Sequence, residues 1–402
     1  MFLRRCKNTN MYGMGQRDSD KMQLSGFDID AFLREDWQQR PRLFRGAFAD
    51  WRNPVEPDEL AGLALEPEVE SRLIERESGA WHVEDGPLPE DRFAQLGANP
   101  WTLLVQAADH HIPDVAALIE PFRFVPNWRI DDVMVSYASD GGGVGAHYDH
   151  YDVFLIQGAG QRRWRIGQKC DEASALIPHN DLRLLAEFEA TEEWILEPGD
   201  MLYVPPGTAH EGTAIGDDCM TYSIGFRAPS AADLVDGFSA HLLDMLTEDD
   251  RYSDTGLPRQ ANPGEITPRA IDGLRQKMLA QIGDRDAFIR WFGQQNSAPK
   301  NAEIDWRPDE AMTPPRMRSA IASRAVIIRN PASRFAFTEA RGGCMILFVD
   351  GAAYDCQGEC AAFARQLCAT TSVRIPHGLA ASNTAVTLIT ALYNQGSIAW
   401  DE

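Results

Sequence analysis

Apolar positions follow two periods along this chain, one helical and one of short extended runs, and the switches between them divide it. The folded part opens with Phe27, Ile29, Phe32 and Leu33 alternating with acids, followed by Trp37, a helical spacing that Arg40-Pro41 interrupts. A short apolar turn into a strand follows. Pro57-Asp58-Glu59 is a helix start with Leu60, Leu63 and Leu65 behind it, and Val69, Leu73 and Ile74 predict a second helix or a strand. From Asp131 the period shortens. DDVMVSYASDGGGVGAHYDHYDVFLIQGAGQRRWRIG, TEEWILEPGDMLYVPPGTAHEGTAI and CMTYSIGF are extended runs punctuated by glycine and proline. That is the pattern of an antiparallel barrel or sandwich rather than a βαβ sheet.

Helical spacing returns after Arg227-Ala228-Pro229, first at Leu234, Val235, Phe238, Leu242 and Leu246, then at Ile271, Leu274, Met278, Leu279 and Ile282 before Gly283. These predict helices packed on the barrel or on a second subunit. A polar, proline-bearing stretch then leads to MILFVDGAAYDC, two apolar runs joined at Asp350-Gly351, a tight hairpin turn. Helices followed by such a hairpin predict a small winged-helix-like domain. The expected division is a disordered extension over 1–22, with Met22 as an alternative start, a barrel domain over 23–229, a helical region over 230–300 and a last domain over 301–402.

Composition narrows the functional classes. A chain of 402 residues, 44% hydrophobic and 24% charged, suits two or three globular units. No stretch has the apolar length of a membrane helix. The 38 basic and 60 acidic residues leave a net charge of −22, which repels phosphate backbones and suits a basic partner; residues 301–402, with 9 basic and 10 acidic, offer no footprint for DNA. Seven cysteines without a C-x-x-C pair predict neither disulfides nor zinc, and the N-terminal residues lack the apolar run of a secretory signal. Both features point to the cytoplasm, with no direct contact to nucleic acid or membrane.

The chemistry is concentrated in GVGAHYDHYDVF and LEPGDMLYVPPGTAHEG. His147 and Asp149 lie two apart, so on a strand both project from one face. His210 follows a strand and a Pro-Pro-Gly turn. One carboxylate and two imidazoles fill one face of an octahedral iron(II) and leave positions for a chelating co-substrate and dioxygen. HYDHYD also holds a second H-x-D, His150 and Asp152, offset by three and therefore on the opposite face; parity alone does not choose between the pairs.

In Gln161–Ile166, Trp164 and Ile166 mark an inward face that Arg162 shares. A buried guanidinium needs an acid, either from the protein or from a dicarboxylate bound bidentately. Ser136, on the preceding strand, is a candidate hydroxyl donor to the same carboxylate. His110-His111 reads as a surface or helix-end pair, Cys356 and Cys360 as core packing, and Gly141–Gly143 as the turn by which the metal strand enters the barrel.

Through these motifs the chain resembles the bacterial ribosomal oxygenases, a Jumonji C group of the cupin superfamily. The likeness runs from about Phe27 to the C-terminus and is strongest over WRIDDVMVSYASDGGGVGAHYDHYDVFLIQGAGQRRWRIG and EPGDMLYVPPGTAHEG, with WQQRP, DELAGLA and YSIGFRAP as further matches. It implies a mixed α+β fold: a double-stranded β-helix (jelly-roll, cupin-like) core, a helical dimerisation region and a C-terminal winged-helix-like domain. It further implies His147, Asp149 and His210 as the ligands of Fe(II), and Arg162 and Ser136 on 2-oxoglutarate, with dioxygen as the other co-substrate. The first H-x-D is thereby preferred. The implied reaction is 3-hydroxylation of an arginine on large-subunit ribosomal protein sixteen, by a homodimer. Hydroxylation of a ribosomal histidine, protein demethylation at the same site and a non-catalytic metal-binding cupin are the rival readings.

Overall fold

The computed structural model describes residues 24–323 and 326–401; the extension expected over 1–22 lies outside them. The N-terminal half holds strands β1 (Arg42–Phe44), β2 (Ser71–Glu77), β3 (Ala80–Asp85), β4 (Trp101–Val105), β5 (Ile130–Ala138), β6 (Asp152–Lys169), β7 (Glu192–Leu196), β8 (Met201–Val204) and β9 (Thr208–Phe226). Four short helices, α1 (Ile29–Glu35), α2 (Pro57–Leu63), α3 (Glu90–Ala94) and α4 (Pro113–Ala116), lie between the early strands. Of the two expectations for Val69–Ile74, the strand is observed, as β2.

All nine strands belong to one antiparallel sheet ordered β1-β8-β6-β9-β5-β4-β2-β3, with β7 also on β6. Strands β6 and β9 pair along almost their whole lengths, with register shifts near Gln157–Gln161. Such shifts bend a strand and change which residues face inward. Val153 and Leu155 before the bend therefore share one buried cluster with Trp164, Ile166 and Leu196 after it. The sheet closes on that cluster as a jelly-roll barrel, as expected from the sequence.

The other face of β6, β8 and β9 carries Phe154, Tyr203 and Phe226 and packs against α1 and the following loop. Asp28 caps α1 by accepting from the Ala31 N–H (3.0 Å), and the helix buries Phe32 edge-on against Tyr203, with ring centroids 4.9 Å apart. The E-P-G-D motif has a structural role here: the Asp200 carboxylate accepts from Arg45 Nη1 (2.6 Å) and from the N–H groups of Gly46 (2.8 Å) and Glu197 (3.0 Å). These contacts lock β1 and the turn before β8 against the barrel.

Helices α5 (Ala231–Met245), α6 (Pro268–Ile282) and α7 (Arg285–Ser297) follow. Phe238 and Leu242 of α5 pack with Trp291 of α7, while α7 also lies on the next unit, where Gly293 faces the Phe348 ring. That unit contains α8 (Pro314–Ser323), β10 (Val326–Arg329), β11 (Phe335–Glu339), β12 (Met345–Val349), β13 (Ala352–Cys356), α9 (Gly358–Ala369), β14 (Ser372–Arg374), α10 (Asn383–Asn394) and β15 (Ile398–Trp400). Two three-stranded sheets, β14-β10-β15 and β11-β12-β13, enclose its own core. The expected hairpin joins β12 to β13, with φ of 48° at Asp350 and 83° at Gly351, the left-handed pair such a turn requires. Cys356 ends β13 and Cys360 sits on α9, both buried in this core.

Candidate metal centre

Glycine allows the metal segment to reach the barrel. A Cβ on Gly143 would stand 2.3 Å from the Gly212 carbonyl oxygen, so only glycine lets this segment run so close to β9. His147 then pairs with His210 through two backbone hydrogen bonds, of 3.1 and 2.8 Å. The Gly207 N–H of the Pro-Pro-Gly turn donates to the Asp149 carbonyl (2.7 Å), tying the two motifs together at a second point.

One ligand atom from each of His147, Asp149 and His210 lies within 4.8 Å of the others, the one such cluster of three or more His, Cys, Asp or Glu side chains among the described residues. His210 Nε2 is 3.6 Å from Asp149 Oδ2, and the two imidazole centroids are 4.3 Å apart. Each ring places Nδ1 3.0 Å from a carbonyl oxygen, that of Gly145 for His147 and that of Thr208 for His210. A carbonyl only accepts, so Nδ1 carries the proton and Nε2 keeps its lone pair for a metal. Burial first, and then the neighbouring His147, hold His210 down to about 4, which keeps it a neutral ligand near pH 7. These carbonyl partners carry no side-chain signal, and sequence reasoning missed them. It also missed the contact of Trp164 with the His210 ring, at 6.0 Å between centroids.

The competing H-x-D separates. His150 is exposed, whereas Asp152 is fully buried on the far side of the sheet, where it accepts from Tyr203 Oη (2.6 Å), Gln38 Nε2 (3.0 Å) and Arg129 Nη2 (3.1 Å). Its role is structural. His110 ends a 3-10 turn as expected but is buried rather than on the surface, because the adjoining domain covers it.

Arg162 points inward with Trp164 and Ile166 and is 3% exposed, yet its Nε and Nη2 have no hydrogen-bond partner and no described acid pairs with it. The internal salt bridge weighed from the sequence is thus not observed. An unpaired buried guanidinium suits an anionic ligand from outside the protein. Ser136 lies opposite Thr221, and Thr221 opposite Gln157, so all three face one side of the sheet; the Ser136 hydroxyl donates to the Thr221 carbonyl at 3.4 Å. The donor set of two imidazoles and one carboxylate, together with the unpaired Arg162, fits iron(II) and 2-oxoglutarate.

Comparison with known proteins agrees. A JmjC domain model matches residues 117–234 and a ROXA-like winged-helix model matches 277–399. The ribosomal protein uL16 3-hydroxylase of Escherichia coli K12 is 44% identical over 299 residues, covering 74% of this chain and 79% of that one. The chain belongs to the JmjC ribosomal oxygenases. A probable ribosomal oxygenase of Haemophilus influenzae is 36% identical over 272 residues, covering 66% of this chain and 67% of that one. Among solved structures, that of E. coli ycfD superposes with a TM-score of 0.86 at 36% identity, over 94% of this chain and all of that one. A ribosomal oxygenase YcfD complex with cobalt and 2-oxoglutarate gives 0.83 at 35%, over 95% and 100%. As a JmjC ribosomal oxygenase, the chain is an iron(II)- and 2-oxoglutarate-dependent dioxygenase with a winged-helix domain behind its jelly-roll core.

Proposed function

We propose that this oxygenase hydroxylates C-3 of an arginine side chain of large-subunit ribosomal protein sixteen. The observation that carries the reading is the 44% identity to a uL16 3-hydroxylase across most of both chains. Conversion of C–H to C–OH is the chemistry that iron(II), 2-oxoglutarate and dioxygen supply, one oxygen atom entering the side chain and the other the succinate formed with carbon dioxide. In this assignment His147, Asp149 and His210 would hold the iron, the two imidazole rings fixed by the Gly145 and Thr208 carbonyls. Arg162, whose Nε and Nη2 lack a partner, would anchor the far carboxylate of 2-oxoglutarate, with Ser136 as a second donor to it. The apolar barrel wall of Val153, Leu155, Trp164 and Ile166 excludes water.

The reading places the protein where ribosomal proteins are made and assembled, in the cytoplasm; no described helix is long and apolar enough to cross a membrane. It also assigns the catalytic domain to 23–229, a dimerisation region to 230–300 and the winged-helix-like domain to 301–402. The support for a homodimer is apolar surface on the middle helices and just before α6: Leu243 is 70% exposed and Ile266, ahead of α6, 73%, with Val235, Ile271 and Met278 also more than half exposed.

Intact-mass measurement tests the function. Isolated ribosomal proteins are incubated with the enzyme, iron(II), 2-oxoglutarate and air, beside a His147→Ala control. One added oxygen on protein sixteen, absent from the control and mapping to an arginine, is expected. Succinate formation without that mass gain would leave the oxygenase chemistry and remove the target; loss of a methyl group would turn the reading to demethylation.

A further inference from the structure

Outside the metal centre, guanidinium groups with unsatisfied N–H donors gather where the barrel, α7 and the C-terminal unit meet. A cavity of about 80 Å³ is lined there by Arg123, Arg227, Asn296, Arg329 and Arg334, none of them part of the metal site. Arg329 ends β10, its guanidinium lying 4.3 Å from the Phe335 ring; Nη1 donates to the Leu367 carbonyl (3.2 Å) and Nε has no acceptor. Arg227 Nη1 donates to the Asn296 carbonyl (2.6 Å), while its Nε lies 3.9 Å from Asp131 and makes no hydrogen bond. Asn296 is only 8% exposed, and its side-chain oxygen has no partner. Rotating that amide would turn its N–H groups toward the cavity instead.

The acids present leave the Nε–H donors of Arg227 and Arg329 without an acceptor, and Glu120 is taken up by Arg123 (2.8 and 2.7 Å). Asp131 already accepts from Arg334 Nη2 (2.7 Å) and Lys300 Nζ (3.1 Å). Burial, and then Asp132, push Asp109 up to about 7, so it is partly neutral; burial, and then His111, hold His110 down to about 3, so it is uncharged. Among the described residues no carboxylate forms an ion pair with Arg329. Burial, and then Arg123, lower Arg329 to about 10, and burial, and then Arg334, lower Arg227 to about 10; Asp131 opposes this at Arg227, and Glu120 and Asp350 oppose it at Arg329. In a chain of net charge −22 this clustering is a local inversion. The volume exceeds the roughly 10–15 Å³ that one water needs, and it suits a tetrahedral ion.

We propose that this junction binds one small oxyanion of the phosphate class, which bridges Arg227 of the barrel to Arg329 of the C-terminal unit. Guanidinium–phosphate contacts are charge-assisted and satisfy buried N–H donors that otherwise lack acceptors. Bound anion would therefore hold the two units together.

Equilibrium dialysis of the full-length, metal-loaded enzyme against radiolabelled inorganic phosphate, with saturating 2-oxoglutarate and constant ionic strength, tests this. One saturable phosphate per chain is expected, with a Tm a few degrees higher in phosphate than in chloride. The Arg227→Met/Arg329→Met variant is expected to weaken binding at least tenfold. Asn296→Asp places a carboxylate in the cavity: it is expected to raise Tm without phosphate and to abolish the response to it, which keeps the test readable if the arginine variant does not fold. Absence of saturable binding in the parent protein would overturn the proposal. So would binding that survives both junction variants and disappears in Arg162→Met, since the phosphate would then occupy the catalytic pocket.

Discussion

A guanidinium buried without an acceptor destabilises the free protein, and Arg162 is in that position. Arg162→Met is therefore expected to keep or raise Tm without co-substrate, while 2-oxoglutarate no longer adds to it. Charged hydrogen bonds contribute about 1.5–3 kcal/mol, so the KM for 2-oxoglutarate should rise roughly 10- to 100-fold. Thermal melts with and without 2-oxoglutarate, beside succinate assays, check both; a variant still stabilised by 2-oxoglutarate would show that another group holds the carboxylate. His110 sets a second residue-scale expectation. Its folded value of about 3 lies below the ordinary 6.5, so between those pH values the unfolded chain binds a proton that the folded one refuses. Its contribution to stability is lost as pH falls from 6.5 toward 3. Asp109, pushed up to about 7, works the other way: the folded state holds a proton the unfolded state has released, and stability falls as pH rises from 3.8 to 7. Removing the histidine with His110→Gln should leave only the second trend. The stability of the parent protein relative to the variant should then grow by about 1.4 kcal/mol per pH unit between pH 4 and 6. Denaturant midpoints at several pH values measure this, and a constant difference would contradict it.

At the scale of elements, α5 and α6 leave much of their apolar surface uncovered. Ile271, Leu274, Met278 and Ile282 recur at helical spacing on α6, and all are exposed. No described residue of α6 is buried, so most of its apolar face is left uncovered by the described residues. Leu274→Glu/Met278→Glu should convert the proposed dimer to a monomer with little change in the barrel, because neither side chain enters a core. Sedimentation velocity at micromolar concentration decides it; a parent protein that is already monomeric would remove the dimerisation assignment. The β12–β13 turn shows the opposite case, where local sequence and tertiary contacts agree. Asp350 adopts the left-handed conformation, and its carboxylate accepts from Ser333 Oγ (2.7 Å), Ser397 Oγ (2.6 Å) and the Arg334 N–H (2.9 Å). The turn is thereby tied to both flanking segments of its domain.

For the whole molecule, a net charge of −22 would attract the basic ribosomal substrate proposed for it. Long-range attraction of this kind is screened within about 8–10 Å at physiological salt. The KM for the ribosomal protein is therefore expected to rise several-fold between 50 and 500 mM salt, with kcat little changed. Initial rates with protein substrate across that range measure it; a flat response would mean that charge does not guide encounter. The negative surface also frames the arginine-lined junction, where the sign of the local charge is reversed.

What the sequence alone determined was the chemistry and the type of most elements. H-x-D with a distal histidine, the glycine cluster, the E-P-G-D and Pro-Pro-Gly turns and the Asp-Gly hairpin are local signals, because each depends on backbone geometry within a few residues. The inward course of Arg162 was also legible, since Trp164 and Ile166 share its face. Residue parity left the two H-x-D pairs open and the resemblance preferred the first; the tertiary structure separates them by sending Asp152 to Tyr203, Gln38 and Arg129 on the far face of the sheet. It alone assigned the histidine tautomers, through carbonyls that have no residue signature. It buried His110, and it showed that Arg162 meets no acid among the described residues. It also brought Arg227 and Arg329 to one cavity across about a hundred residues of chain. Such facts concern which groups meet and which remain unpaired. They depend on how the sheet bends at its bulges and how separate units dock, and a pattern of neighbouring residues does not encode that.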